Sequence, residues 1–243
     1  MAKYGMKPVV SIYSSFLQRA YDQIIHDICI QKLPVVICID RAGVVGNDGE
    51  THQGIFDLSF LSHMPNLAIM APKNYKELEN MLEFACNANY PTAIRYPKGE
   101  ENIGVSDQGD PKNKIELGKA EIIKEGKDMT ICAIGKMVAK AIEVANILSN
   151  IDIEIINVRF LKPIDEKTIL NSINKTKKLV TIEDNVLKGG LASAIREIIN
   201  NDVKMQSFGY PDKFIEHGNI EQIEMAYGLD ASSIAEKIEK IAL

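Results

Sequence analysis

Between Asp40 and Gly54 the chain places Arg41, Asp48 and His52 among Gly43, Gly46, Gly49 and Gly54. A histidine both donates and accepts a proton near neutrality, and an aspartate close by can tune it. The glycines permit positive φ and let a backbone approach a ligand closely. The run matches neither GxGxxG nor GxxxxGK[ST], which argues against a nucleotide-phosphate loop. Asn47-Asp48-Gly49 echoes a calcium loop, but the later ligands of such a loop are missing. Proton transfer on a bound small molecule is the chemistry these residue types suit, with Arg41 available for an anion.

Two further segments carry reactive types. Tyr13-Ser14-Ser15-Phe16-Leu17-Gln18-Arg19 offers Ser14 or Ser15 as a helix cap. It sets two aromatic rings at a helix start, where backbone N–H groups favour anions. Phe16 also reads as a core residue and Arg19 as a solvated one. Arg95-Tyr96-Pro97-Lys98-Gly99 puts an arginine at a strand end, as a surface ion pair or as a bidentate anion clamp.

The elements that must position these residues follow from hydrophobic period. Apolar runs predict strands at 8–12, 35–39, 67–71 and 92–96. Phe16, Ala20, Ile24 and Ile28 predict a helix over 15–31, and two more are expected over 56–62 and 74–87. All three chemical segments thus lie at carboxyl ends of strands, the edge where open α/β sheets bind ligands. From Glu100 to Asn113 composition turns to Gly, Ser, Asp and Pro, which predicts a linker. Alternation resumes over 119–124. Strands are then expected at 129–134, 152–157, 178–183 and 203–208, and helices at 135–149, 165–172, 189–200 and 232–241. The pattern predicts two doubly wound, mainly parallel α/β domains, at 1–107 and 115–243.

The 243 residues carry a net charge of −5 without a long basic run, which excludes general nucleic-acid binding. No apolar run approaches the roughly 20 residues of a membrane helix, so a cytoplasmic protein with no membrane partner is expected. Cys29, Cys38 and Cys132 sit in apolar surroundings, and with Cys86 they form no metal-ligand spacing. Small buried hydrophobes in a reducing compartment are the expectation, with no metal site.

Taken together the segments are far more specific. Tyr13 to Gln23, Asp40 to Gly43 with Thr51 to Gly54, and Arg95-Tyr96-Pro97 resemble the 1-deoxy-D-xylulose-5-phosphate synthases, transketolase-like thiamine-diphosphate enzymes. So do Ala133-Ile134-Gly135, Arg159 to Pro163, Glu183-Asp184-Asn185, Gly189-Gly190 and Pro211 to Gly218. The resemblance spans essentially the whole chain. It implies a pyrimidine-binding domain followed by a transketolase C-terminal domain, and condensation of pyruvate with glyceraldehyde 3-phosphate with loss of CO2. That reaction feeds isoprenoid, thiamine and pyridoxal synthesis. By the same resemblance Phe16 stacks on the aminopyrimidine of the cofactor, as an aromatic face would. Tyr13, Arg41, Arg95 and, less directly, Arg19 surround the phosphorylated acceptor, while Asp48 and His52 stand close to the reacting carbons. Glu183, Asp184 and His217 are read as ion pairs, caps and interface contacts.

Two departures qualify what the resemblance implies. The family's activating glutamate, in an Ala-Glu-Gln-His stretch, has no counterpart here. Neither does the Gly-Asp-Gly and Asn-Asn signature that holds the diphosphate and Mg2+. The expectation is a fragment, inactive alone, that needs the missing N-terminal domain. One subunit of a split transketolase or 2-oxoacid dehydrogenase-type enzyme, and a non-catalytic binding module, are the alternatives. A homodimer is expected by analogy with the superfamily.

Overall fold

The computed structural model describes residues 1–100 and 114–242. Beyond Glu100 the expected linker lies outside the described residues, as does the expected domain end at 107.

The first half contributes β1 (Val9–Tyr13), β2 (Val36–Asp40), β3 (Ala68–Met70) and β4 (Thr92–Arg95). The second contributes β5 (Glu121–Lys124), β6 (Met129–Ala133), β7 (Ile153–Asn157), β8 (Phe160–Lys162), β9 (Lys178–Val186) and β10 (Lys204–Tyr210). They form two five-stranded sheets, ordered β1-β2-β4-β3-β8 and β10-β9-β6-β7-β5. Among the described strands, only β8 and β5 run antiparallel to their neighbours. Central strands such as β4 and β6 are buried along their length, as apolar runs covered on both faces must be.

Helices follow the expected alternation, with one irregularity at the candidate site. The helix predicted over 15–31 begins as α1 (Ser14–Leu17), tightens into a 3-10 turn at Gln18–Ala20, and continues as α2 (Tyr21–Gln23). It then widens into a π turn at Ile24–Cys29. Ile24 and Cys29, five apart, are both buried, which suits the i→i+5 repeat of that turn. Next come α3 (Asp57–Ser62) and α4 (Tyr75–Asn87). The Asn74 side chain caps α4 by accepting from the Glu77 N–H at 2.8 Å. The second half adds α5 (Met137–Ile147), α6 (Glu166–Thr176), α7 (Leu191–Ile198), α8 (Ile220–Tyr227) and α9 (Ala231–Ala242). Among the described residues no helix is long and apolar enough to cross a membrane. Cys29, Cys38 and Cys132 are buried, and all four cysteines are unbridged.

The halves are separate in sequence but not in space. β8 leaves the second half and completes the first sheet, and Phe160 is buried with Val36, Cys38, Met70, Met81 and Ile94. Arg159, just before it, takes a left-handed φ of 57° and points Nε at Glu77 Oε1 across 2.6 Å. Its other end pairs with Glu121 at 3.0 Å, and Glu121 pairs with Lys73 at 2.8 Å. Lys162 Nζ donates to the carbonyls of Ser62 (2.8 Å) and Met64 (2.7 Å), at the end of α3. A large apolar cluster likewise joins Ile37 and Leu61 of the first half to Cys132, Ile156 and Leu191 of the second.

Candidate active site

The chain between β2 and α3 folds back on itself. Gly43 and Gly54 exchange two backbone hydrogen bonds of 2.7 Å and close the base of this loop. Gly43 has φ 78°, and a side chain on Gly54 would run into the Arg41 carbonyl and the Ser14 side chain. A 3-10 turn at Gly46–Asp48 reverses the tip. Asp48 and His52 are thereby carried to the first turn of α1.

Six of the seven residues singled out from the sequence meet there. Tyr13 Oη donates to Asp48 Oδ2 at 3.1 Å. The Tyr13 and Phe16 rings lie 5.0 Å apart, and His52 stands edge-on to both at 5.6 Å. The Arg41 guanidinium lies over Tyr13 at 4.7 Å and that of Arg19 over Phe16 at 5.4 Å. Arg41, also paired with Asp40, is held at a left-handed φ of 58°, a conformation uncommon outside glycine. Phe16 remains 38% exposed, so one aromatic face is open and its reading as a core residue is set aside.

Electrostatics at this cluster favour a neutral phenol among charged groups. Burial and the hydrogen bond to Asp48 push the Tyr13 hydroxyl up to about 12, so it stays a donor at neutral pH. Lys98 brings a further cation within 3.8 Å of Asp48. Thr51 Oγ1 lies 2.8 Å from His52 Nδ1.

Arg95 is elsewhere. Expected beside the acceptor, it is only 3% exposed and lies beneath the loop. Nε donates to Asp57 Oδ1 at 2.8 Å and Nη1 to Asp184 Oδ1 at 2.5 Å. Burial disfavours its charge, but Asp184 and Asp57 outweigh that effect and hold the guanidinium protonated. Burial pushes Asp57 up, whereas Arg95 keeps Asp184 below the usual carboxylate range despite its burial. Asp57 in turn accepts from the Ser14 hydroxyl at 2.8 Å. Arg95 therefore supports the loop and the start of α1 from below.

The second half contributes support rather than reactive groups. Glu183 is buried with both oxygens accepting from the first turn of α7, Leu191 and Ala192 N–H at 2.8 Å each. Val186 N–H reaches the Ile55 carbonyl at 2.9 Å, and Asp184 leaves no room for a side chain on Gly43. His217 packs against Gly49. Lys98, Thr51 and Gln53 were not singled out from the sequence, although each lies within or next to a segment that was. Among the described residues no group of three or more His, Cys, Asp or Glu side chains is arranged to hold a metal ion. The cluster thus joins a half-open aromatic face, two arginines stacked on its rings, and a histidine edge-on to both rings.

Comparison with known proteins places this geometry. Residues 1–102 match the transketolase pyrimidine-binding domain and residues 118–234 the transketolase C-terminal domain. The chain is 52% identical to the 1-deoxy-D-xylulose-5-phosphate synthase of Halothermothrix orenii over 99% of its own length. It is 51% identical to that of Clostridium acetobutylicum over 98%. It spans 38% and 39% of those two relatives, respectively. Among solved structures, a split-gene transketolase in an inactive β4 tetramer superposes with a TM-score of 0.88 at 29% identity. That match covers 98% of this chain and 77% of the other.

Proposed function

The chain belongs to the transketolase family, as a pyrimidine-binding domain joined to a C-terminal domain, and on that premise we propose that it is the acceptor-binding part of a 1-deoxy-D-xylulose-5-phosphate synthase. The reaction is condensation of pyruvate with glyceraldehyde 3-phosphate with release of CO2. The observation that carries this reading is the convergence of Tyr13, Phe16, Arg41, Asp48 and His52 at one sheet edge. The open face of Phe16 fits the flat aminopyrimidine of thiamine diphosphate. These residues do not supply a seat for the diphosphate or Mg2+, which the reading assigns to the missing N-terminal domain. When bound, the cofactor supplies the electron sink for decarboxylation and carbon–carbon bond formation.

The chain's own residues bind and orient. Arg41 takes the acceptor phosphate, aided by Lys98, because a planar guanidinium suits a doubly charged phosphate. His52 exchanges a proton with the aldehyde oxygen of the acceptor through Nε2. Asp48 and Tyr13 fix each other by their mutual hydrogen bond and border the same space. Arg19 lies at the outer rim of Phe16.

Turnover from pyruvate and glyceraldehyde 3-phosphate tests the proposal. The chain alone should give none, and the chain supplied with its missing N-terminal portion should form deoxyxylulose phosphate. A complemented chain that transfers ketol groups or decarboxylates other 2-oxoacids instead would overturn it. A second reading has its own support, since the likeness to a split-gene transketolase subunit extends over nearly the whole of this chain. One subunit of a two-chain enzyme would take its activating glutamate from a partner. The coding sequence just upstream separates the two readings: in-frame Ala-Glu-Gln-His codons favour one polypeptide, and their presence in a separate gene favours two.

A further inference from the structure

The Gln53 side chain ties together the two arms of the loop that carries Asp48 and His52. Gln53 is 2% exposed, and both ends of its amide are engaged. Oε1 accepts from the Val45 N–H at 2.8 Å, and Nε2 donates to the Glu216 carbonyl at 3.0 Å. Val45 lies on the outgoing arm of the loop and Gln53 on the returning arm, so this amide spans the loop just below its tip. Glu216 belongs to the second half, where its carboxylate accepts from Tyr227 Oη at 2.9 Å. Gly218 N–H reaches the Gly46 carbonyl at 3.4 Å along the same seam. An apolar residue of equal volume would fill the space but leave the buried Val45 N–H without its partner.

We propose that Gln53 is a positioning residue: its amide fixes His52 and Asp48 against Tyr13 and Phe16, and makes that arrangement depend on the second half of the chain. The functional consequence rests on the reading that these side chains meet the acceptor. The clamp itself does not.

Two measurements on Gln53→Met and Gln53→Asn test it. In the folded chain the imidazole NMR resonances of His52, assigned by their loss in His52→Gln, report its setting directly. Displacement or broadening of His52 is expected, with His26 and His63 unchanged. In the complemented enzyme kcat/KM for the acceptor should fall on the order of 10- to 100-fold, as expected when a reacting group is displaced by about an ångström. The pyruvate KM should be little changed. An unmoved His52 in either folded variant overturns the proposal. So does loss of fold in both variants, which would make Gln53 structural only. If wild-type complemented enzyme has no synthase activity but His52 still moves, the functional reading fails and the clamp stands.

Discussion

Arg41 and Arg95 show how little residue type alone decides. Each lies at the end of a buried strand, and each reads in sequence as an anion clamp. Arg41 lies over Tyr13 beside the open face of Phe16. Arg95 is captured by Asp57, 38 positions away, and by Asp184, 89 positions away. No local pattern announces partners at such separations, so the sequence points to the six residues that meet but does not show that Arg95 is paired beneath them. Two opposite outcomes follow. Arg41→Ala should leave the melting temperature nearly unchanged and raise the acceptor KM about 10- to 100-fold, the loss of a charge-assisted contact of about 1.5–3 kcal/mol. Arg41→Lys should restore only part, because the planar fork is lost. Arg95→Met should instead destabilise the fold by about 3–5 kcal/mol, since it strands buried carboxylates, and denaturant melts of the chain alone would register it.

At the scale of elements, period and length account for what was legible. The buried runs of β2, β6 and β7 and the amphipathic α4 and α6 are found within a few residues of their expected ends. β8 and α8 were not expected. β8 is three residues long, too short for a period, and it is a strand because β3 offers an edge from the other half. Its signal was chemical: Arg159 precedes it and Lys162 ends it, two cations that need buried acceptors. Lys162→Met should therefore lower stability by about 1.5–3 kcal/mol, since two α3-end carbonyls lose a charged donor, and a thermal melt would show it. The ion network before β8 also has a pH signature. Burial pushes Glu121 up, but hydrogen bonding to Lys73 and the charge of Arg159 outweigh it and leave its carboxyl below the usual range. A depressed native pKa contributes stability that is present above the unfolded value, near 4.3, and is lost as pH falls through the native one. Acid unfolding of Glu121→Gln should accordingly show a shallower decline below about pH 4 than wild type.

At the scale of the whole molecule, two domain-sized matches over residues 1–102 and 118–234 suggest two units that unfold independently. The packing argues for one. Phe160 fills the first core, Lys162 caps a first-half helix, and Arg95 and Arg159 each join carboxylates across the seam. Separating the halves would expose the β3 edge and leave Glu77 without the Arg159 guanidinium, Asp184 without that of Arg95. It would also uncover the apolar seam, where Ile37 and Leu61 pack with Cys132, Ile156 and Leu191, and each such side chain contributes roughly 1.5–3 kcal/mol of the 5–15 kcal/mol that holds a typical domain. Calorimetry of the 243-residue chain should show one cooperative transition rather than two. A polypeptide of residues 1–113 alone should bind a hydrophobic dye and lack sharp melting, and addition of 114–243 should reverse both. Two resolved transitions, or a well-folded isolated first half, would show that the seam is a weak contact. The same seam holds the Asp48–His52 loop through Gln53 and Glu216, so a loosened seam should also disturb the site before either sheet unfolds.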